Sequence, residues 1–300
     1  MKKFLYFSFA LMLSFINSAA DTPQIVSVEG DDAFSNTIKA VELLGGMQNF
    51  VEPGDKVGIL VNSGFREKGA YVDPDVVIST LKMVLDAGAK DVVFLQHIKP
   101  EYWERSSLEP DHREYIDRAR TIEANEFPSE YDEENFVKYS GLEGAVHLEE
   151  IEVVREIFEV DVFINIPIAK NHGLTLLTNS MKNMMGLNTR ATNVKFHLDG
   201  PSRNDPDFLA QCIADLNLVR KPDLIISDVM EVIVTNGPGG PGDIVSPNRV
   251  VAGFDPVAVD AYCADLIDFF IPDVLTIQKG YELGLGKKDY NELEILEIKK

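Results

Sequence analysis

Cysteine is scarce in this sequence of 300 residues, which contains only Cys212 and Cys263 and no Cys-x-x-Cys spacing. An iron–sulfur cluster is commonly held by four thiolates, so a cluster of that kind ligated within this chain is excluded. In an oxidising compartment the two thiols could form a disulfide. Both lie in amphipathic helical patterns where a buried free cysteine is equally expected, so the sequence leaves their pairing open.

Positive charge is also in short supply. The 28 Lys and Arg residues face 49 Asp and Glu, which gives a formal net charge of −21 at pH 7. Such a field repels nucleic acid and anionic lipid, so we expect neither as a partner. A small anionic ligand would need a local basic pocket that overrides the global sign. The hydrophobic content of 45% is high enough for one large folded core.

No apolar run approaches the roughly 20 residues that span a bilayer. The longest, residues 4–16, follows Lys2 and Lys3 and precedes the small residues Ser18 and Ala20. This order is typical of a secretory signal peptide, so we predict cleavage of residues 1–20 and export to the periplasm or the extracellular space. An uncleaved anchor is the alternative. Cleavage removes two lysines and no acid, so the mature charge becomes −21 − 2 = −23.

Residues 21–300 are predicted to form a single α/β domain. Apolar strand patterns at residues 25–28, 57–61 and 92–95 alternate with helical patterns, and Asp73 with Pro74 marks a helix start. Continuous β-branched strands separated by helices favour a mainly parallel mixed sheet with helices on both faces.

The alternation is interrupted between residues 99 and 150, where fifteen acidic residues stand against six basic ones. We interpret this segment as an acidic insertion or lid. A solvated excursion is one alternative; a flap that covers a substrate with Tyr102, Trp103 and Tyr115 is the other.

Polar and basic residues are concentrated in the 33 residues from Asn165 to His197. Ligand sites in open α/β sheets lie at the carboxyl ends of strands, and a strand at residues 161–166 leads directly into this stretch. The concentration predicts a pocket for an anionic or metal-bearing ligand. Catalytic roles are predicted for His172, Lys182 and Lys170, and ligand binding for Asn165, Asn183 and Arg190. Solvent-facing lysines and ordinary core histidines are the alternative.

Two further segments supply candidate residues. Asp228 ends a strand and precedes a loop with four glycines, in which Asn236, Gly237 and Gly239 are predicted to bind ligand; a plain flexible turn is the alternative. Asp255 and Asp260 flank the start of a helix and are also candidate ligand-binding residues, although Asp255 before Pro256 equally fits a helix cap. A divalent metal, if bound, is assigned to His172, His197 and Asp228.

Together these stretches resemble a bacterial and archaeal family called domain of unknown function 362. The resemblance implies an α/β fold. Many members of that family carry a fused ferredoxin module, whose cysteines this chain lacks. Asn62 fits the family's early asparagine, but Leu60 and Val61 replace the expected Lys-Pro before it. The motifs that carry the resemblance are Asn165-Ile-Pro-x-x-Lys170-x-His172, Ser180-Met-Lys182-Asn183-x-x-Gly186, His197, Asp228 with Asn236-Gly-Pro-x-x-Pro-Gly242, Asp255-Pro-Val-Ala-Val-Asp260 and Gly284-Leu-Gly286.

The order His172, Lys182, His197 is more distantly similar to that of the nickel-pincer lactate racemase family. That resemblance implies that the lysine carries a covalent cofactor and that one histidine binds nickel. The glycine-rich approach to the lysine is replaced here by Asn179-Ser180-Met181, and only His97 is left to supply a second acid/base histidine.

From these residues we expect an exported enzyme that acts on a small anionic metabolite through a His/Lys/Asn pocket. His172 would act as acid or base, and Lys170 or Lys182 would fix the anion. The alternative is a non-catalytic periplasmic protein that binds a small molecule or a metal.

Overall fold

The computed structural model describes residues 23–108, 110–122 and 131–299. The signal peptide expected at residues 1–20 lies outside these ranges and stays a prediction. Within them, no helix combines the length and the apolar character needed to cross a bilayer.

A mixed sheet of seven strands forms the centre of the described fold, with the order β13-β1-β12-β9-β6-β2-β3. Strand β12 is antiparallel to both of its neighbours, and the other four pairings are parallel. Three two-stranded sheets complete the β structure: β4–β5, β7–β8 and β10–β11. The strands are β1 Ile25–Glu29, β2 Lys56–Val61, β3 Asp91–Phe94, β4 Phe136–Tyr139, β5 Ile151–Val154, β6 Val162–Ile166, β7 Lys170–His172, β8 Leu176–Thr178, β9 Leu224–Val229, β10 Val232–Ile233, β11 Ile244–Val245, β12 Arg249–Gly253 and β13 Ile295–Ile298.

Helices cover both faces of the sheet. Helix α1 packs on α2 and against β1 and β12, while α8 packs against β9 and β12 and contacts α5 and α9. The helices are α1 Ala33–Leu43, α2 Pro74–Asp86, α3 Pro100–Trp103, α4 Arg113–Thr121, α5 Ser180–Asn183, α6 Arg190–Leu198, α7 Pro206–Leu216, α8 Pro256–Leu266 and α9 Leu275–Glu282. The predicted fold class is therefore confirmed.

The central strands are buried along their whole length, which explains why their sequences are continuous apolar runs. Every residue of β6, β9 and β12 is buried, as expected for strands covered on both faces. The predicted start of α2 is also confirmed: Asp73 accepts the N–H of Asp75 at 2.9 Å and Pro74 opens the helix. Gly88 follows its end with φ +92°, a conformation that glycine adopts without strain.

The described parts of the acidic segment from residue 99 to 150 pack on the domain. Tyr102 and Trp103 are 2% and 3% exposed, and the Tyr102 hydroxyl donates to the Val72 carbonyl at 2.8 Å. Further along, the buried Asp215 carboxylate on α7 accepts three successive backbone N–H groups, from residues 146 to 148, at 2.6–3.1 Å. These contacts fix both ends of the segment to the core.

Candidate functional site

The candidate site is built where β6 ends and the chain turns into the β7–β8 hairpin. Lys170 stands opposite Thr178 in the hairpin register, and His172 stands opposite Leu176. Because side chains alternate along a strand, Lys170 and His172 point to the same face. The parallel neighbour β2 ends at Val61, so Asn62 reaches the same edge of the sheet.

Lys170 is a fully buried amine without a carboxylate partner. Its Nζ contacts the Ala70 carbonyl, lies 3.4 Å from Asn62 Oδ1 and stands 3.8 Å from the centroid of the Phe65 ring. No ion pair involving Lys170 forms within the part of the chain that is described. Burial, followed by the charge of Lys182, lowers the pKa of Lys170 to about 6. A large fraction of this amine is therefore neutral at pH 7.

His172 is held in one tautomer by its own turn. Its Nδ1 accepts the backbone N–H groups of Leu174 and Thr175, both at 3.2 Å. A neutral imidazole that accepts at Nδ1 carries its proton on Nε2. Burial, followed by the positive charges of Lys182 and of other site residues, lowers the pKa of His172 to about 3. The ring is thus a neutral hydrogen-bond donor through Nε2.

Lys182 lies on α5 and is partly buried, with its Nζ 3.3 Å from Met185 Sδ. Burial lowers its pKa to about 8, so most of it stays protonated at pH 7. Its charge in turn lowers the pKa values of Lys170, His172 and His197. Lys170, His172 and His197 therefore each lie within electrostatic reach of Lys182, and we call these four residues the Lys–His cluster.

His197 has the opposite hydrogen-bond arrangement. On α6 its half-buried ring places Nδ1 3.2 Å from Asn204 Oδ1. With the amide oxygen facing the ring, Nδ1 donates and Nε2 keeps a free lone pair. Burial is the main factor that lowers the pKa of His197, and the charge of Lys182 adds to it. The cluster thus contains one imidazole that can donate and one that can accept.

A buried network of amides positions the helix that carries Lys182. Asn165 Nδ2 donates to the Ser180 carbonyl at 3.0 Å, and Asn183 Nδ2 donates to Asn165 Oδ1 at 2.7 Å. The Asp260 carboxylate accepts the N–H groups of Ser180 and Met181 at 2.7 and 3.2 Å. The three predicted ligand-binding residues of this network hold α5 in place.

Two buried polar groups near the hairpin have no hydrogen-bond partner among the described residues: Thr178 Oγ1 and Asn179 Nδ2. The Asn179 oxygen is used, since it accepts the Ser227 hydroxyl at 2.7 Å. Thr178 is the cross-strand neighbour of Lys170, so its hydroxyl shares the hairpin face with that amine. Unsatisfied buried polar atoms are rare, and these two leave hydrogen-bonding capacity beside the cluster.

The glycine-rich loop packs directly on β7. Gly237 N–H donates to Asn171 Oδ1 at 2.9 Å, and a Cβ added at Gly237 would stand 1.7 Å from the Asn171 carbonyl oxygen. At Gly239 an added Cβ would stand 3.3 Å from the Phe65 ring. Asn236 is exposed and donates to the Pro241 carbonyl at 3.3 Å. The loop therefore covers the hairpin, and its glycines permit that close contact.

The remaining predicted residues are engaged by backbone contacts, exposed, or placed at another cavity. Asp255 caps α8 by accepting the N–H groups of Val257 and Ala258 at 3.0 and 2.9 Å, and it also accepts that of Lys287. Arg190 is exposed at the start of α6. His97 lines a cavity of about 390 Å³ beside Trp103 and Arg120.

The three predicted metal ligands are not assembled into a centre. Asp228 accepts the N–H groups of Asp73 and Met230 at 2.6 and 2.8 Å, and burial together with the Asp73 charge raises its pKa to about 7. A metal-binding histidine normally donates its second N–H to an acceptor. His197 meets this condition, because its Nδ1 donates to Asn204 Oδ1. His172 does not meet it, because its Nδ1 accepts the backbone N–H groups of Leu174 and Thr175 instead of donating. Across the described ranges, no group of three or more His, Cys, Asp or Glu residues is placed to hold a metal ion.

Residues remote in sequence complete the site, and sequence patterns had not pointed to them. Phe65 and Ala70 reach Lys170 from about 100 positions away, and Asn204 orients His197 from the next loop. Asn62 was noted in the sequence only for its place in a motif. Its position directly after strand β2 could have identified it as a site residue, because ligand sites form at the carboxyl ends of strands.

Two solved structures partly match this chain. The lactate racemase apoprotein from Thermoanaerobacterium thermosaccharolyticum matches 78% of this chain at 12% identity and a TM-score of 0.48. A protein from Thermotoga maritima matches 79% at 13% identity and a TM-score of 0.41. This chain spans 54% and 60% of their respective lengths. Similarity this low gives no information about the reaction or the ligand of this chain.

Sequence comparisons identify the family to which the chain belongs. The Thylakoid-associated protein sll1697 of Synechocystis is 24% identical over 268 residues, which cover 87% of this chain and 78% of that protein. The family model described as Domain of unknown function (DUF362) matches residues 57–265, a range that includes every member of the Lys–His cluster. The chain belongs to the DUF362 family.

Proposed function

We propose that this protein is an enzyme that binds a small anionic metabolite at the Lys–His cluster and transfers a proton on the bound molecule. The observation that carries the proposal is the pair Lys170 and Lys182, two amines withdrawn from water with no carboxylate ion-paired to either within the described chain.

Electrostatics supports an anionic ligand. Burying a cation without a counter-charge is unfavourable, and the lowered pKa values of both lysines reflect that cost. A bound carboxylate or phosphate would provide the missing charge and raise both pKa values. In a protein of net charge −21, a local cationic recess is also the place where an anion is attracted rather than repelled.

The two imidazoles support proton transfer. His197 Nε2 has a lone pair available to take a proton, while His172 Nε2–H can donate a hydrogen bond to an oxygen that gains negative charge. Lys182, which is already protonated, fixes the anion, and Lys170 pairs with it once the anion has raised the pKa of that amine from about 6. The four residues thus separate into two anchors, Lys170 and Lys182, one donor, His172, and one base, His197.

A nickel-bearing cofactor on Lys182, as the lactate racemase resemblance would imply, is not part of this proposal. His197 fits a metal ligand, but the two N–H groups aimed at His172 Nδ1 favour a proton on Nε2, where a metal would have to bind. The residues present therefore do not fit a metal shared by two imidazoles.

We propose that the protein acts after export, because residues 1–20 have the pattern of a secretory signal peptide.

Proton exchange in heavy water tests the function. The mature protein is incubated in D2O with a panel of small organic acids that carry a C–H bond beside the carboxylate, and the loss of that C–H signal is followed by NMR. We expect exchange on one class of acid, slowed at least 100-fold in His197→Gln and Lys170→Met. The matched control is Lys39→Met, an exposed lysine on α1. Anion binding measured by calorimetry without any exchange would favour the non-catalytic binding protein instead.

A further inference from the structure

A cavity of about 370 Å³ is lined in part by Phe65, the residue whose ring also contacts Lys170. Its charged lining consists of three cations, Arg66, Lys99 and Arg105, and one carboxylate, Glu101. None of the three cations forms an ion pair within the described residues. Acidic residues outnumber basic ones by 49 to 28 in this protein, so a cavity lined mainly by unpaired basic residues is not expected by chance.

The Arg105 side chain is held in a defined orientation at this cavity by two contacts. Its Nη1 donates to the Phe65 carbonyl at 3.0 Å, and its guanidinium lies 4.1 Å from the centroid of the Tyr71 ring. These contacts orient the guanidinium and hold the backbone of residue 65 at the cavity wall. Arginine presents a planar set of donors that suits carboxylate and phosphate groups.

Phe65 belongs to both sites. It lines the cavity, and its ring faces Lys170 Nζ together with the oxygens of Asn62 and Ala70. An aromatic face stabilises a cation less than an anion does. This half-buried side chain is therefore a contact that the cavity and the buried amine share.

We propose that the cavity is a second anion subsite, so that the substrate carries two anionic groups, one held at Lys170 and Lys182 and the other held by Arg66, Lys99 and Arg105, with Phe65 between them. The inference rests on the proposed function for the first of these positions. It adds to that function a substrate class, namely small molecules with a carboxylate at one end and a second carboxylate or a phosphate at the other.

Calorimetric titration with three probes of similar length tests this: propionate with one charge, succinate with two carboxylates, and 3-phosphonopropionate with a phosphonate in place of one carboxylate. Wild-type protein is expected to bind both dianions at least tenfold more tightly than propionate. The two dianions then report whether the arginines prefer a carboxylate or a phosphoryl group.

Arg66→Gln and Lys99→Gln are each expected to weaken dianion binding about tenfold and to leave propionate binding within about twofold. Lys68→Gln is the matched control, because it removes one charge from the same loop but pairs with Glu231 outside the cavity. Equal losses for propionate and the dianions, equal losses in the control, or wild-type protein that binds no dianion would each overturn the proposal.

Lys170→Met separates this inference from the proposed function. If Lys170→Met abolishes binding of all three probes while Arg66→Gln changes nothing, the cluster binds anions and the second subsite is refuted. If Arg66→Gln loses dianion binding and Lys170→Met keeps it in full, the cavity binds an anion alone, and both the bridging substrate and the function assigned to Lys170 are refuted.

Discussion

The ammonium nitrogen of Lys170 lies 3.8 Å from the centroid of the Phe65 ring, in a position where a carboxylate would be the usual partner of a buried lysine. Burial and the charge of Lys182 lower the pKa of this amine to about 6, so it is largely neutral near pH 7 and free to pair with a ligand.

Replacing Lys170 by methionine is expected to stabilise the protein, because it removes a buried amine without a counter-charge. The pKa of Lys170 is lowered to about 6 in the folded state. Between pH 6 and 10.5 the unfolded chain therefore binds more protons at this position, and the wild-type free energy of unfolding rises with pH. The stability of Lys170→Met relative to wild type should therefore be greatest at the lowest pH and fall by roughly 1 kcal/mol per pH unit toward pH 10.

Chemical denaturation at pH 6, 7, 8 and 9 measures this gap. The exposed Lys39→Met variant serves as control and should differ from wild type by less than about 0.5 kcal/mol at each pH. A gap that widens as the pH rises would show that Lys170 does not have a lowered pKa.

The two histidines of the cluster should show opposite tautomers. His172 is expected with the proton on Nε2 and no titration above pH 4, since its pKa is lowered to about 3. His197 is expected with the proton on Nδ1, donated to Asn204. Long-range nitrogen–proton NMR spectra of histidine-labelled protein distinguish the two forms, with His172→Gln and His197→Gln used for assignment. A His172 ring that titrates between pH 6 and 7 would contradict the described geometry.

Gly237 is expected to tolerate no side chain. A Cβ at this residue would stand 1.7 Å from the Asn171 carbonyl oxygen, which is backbone and cannot move aside without displacing β7. Gly237→Ala should therefore lower the free energy of unfolding by about 3 kcal/mol or more and weaken anion binding at the adjacent cluster. Gly64→Ala is the control, because nothing lies within 4 Å of its added Cβ. Thermal and chemical unfolding that leave the two variants equally stable would refute the close contact.

The fold was largely predictable because its strands are continuous apolar runs and its main helices begin at local caps such as Asp73 with Pro74. The site was predictable in part, because Asn165, Lys170 and His172 lie at or just after the end of a strand, where ligand sites of α/β sheets form.

Contacts made across the fold could not be predicted from local patterns. Sequence showed that Asp260 was a carboxylate near a buried face, but only the fold shows that it caps the helix of Lys182, 78 positions away. The tautomer of His197 depends on Asn204, and the partner of Lys170 is an aromatic ring rather than an acid. Such pairings are set by packing between elements, which periodicity does not encode.

The leader pattern gives a direct prediction about maturation. Ser18 and Ala20 fit the small residues of a signal-peptidase site, so the exported protein should begin at Asp21. Intact mass and N-terminal sequencing of material recovered outside the cytoplasm would establish this. An exported protein that retains Met1 would refute cleavage.

Proton uptake on ligand binding tests the central claim most directly. Propionate is titrated into the protein at pH 7 in two buffers with different enthalpies of ionisation, for wild type and for Lys170→Met. An anion that pairs with Lys170 should raise its pKa from about 6, so wild type should take up close to one proton per anion bound and Lys170→Met almost none. Binding without proton uptake in wild type, or the same uptake in both proteins, would show that the anion does not pair with this buried lysine.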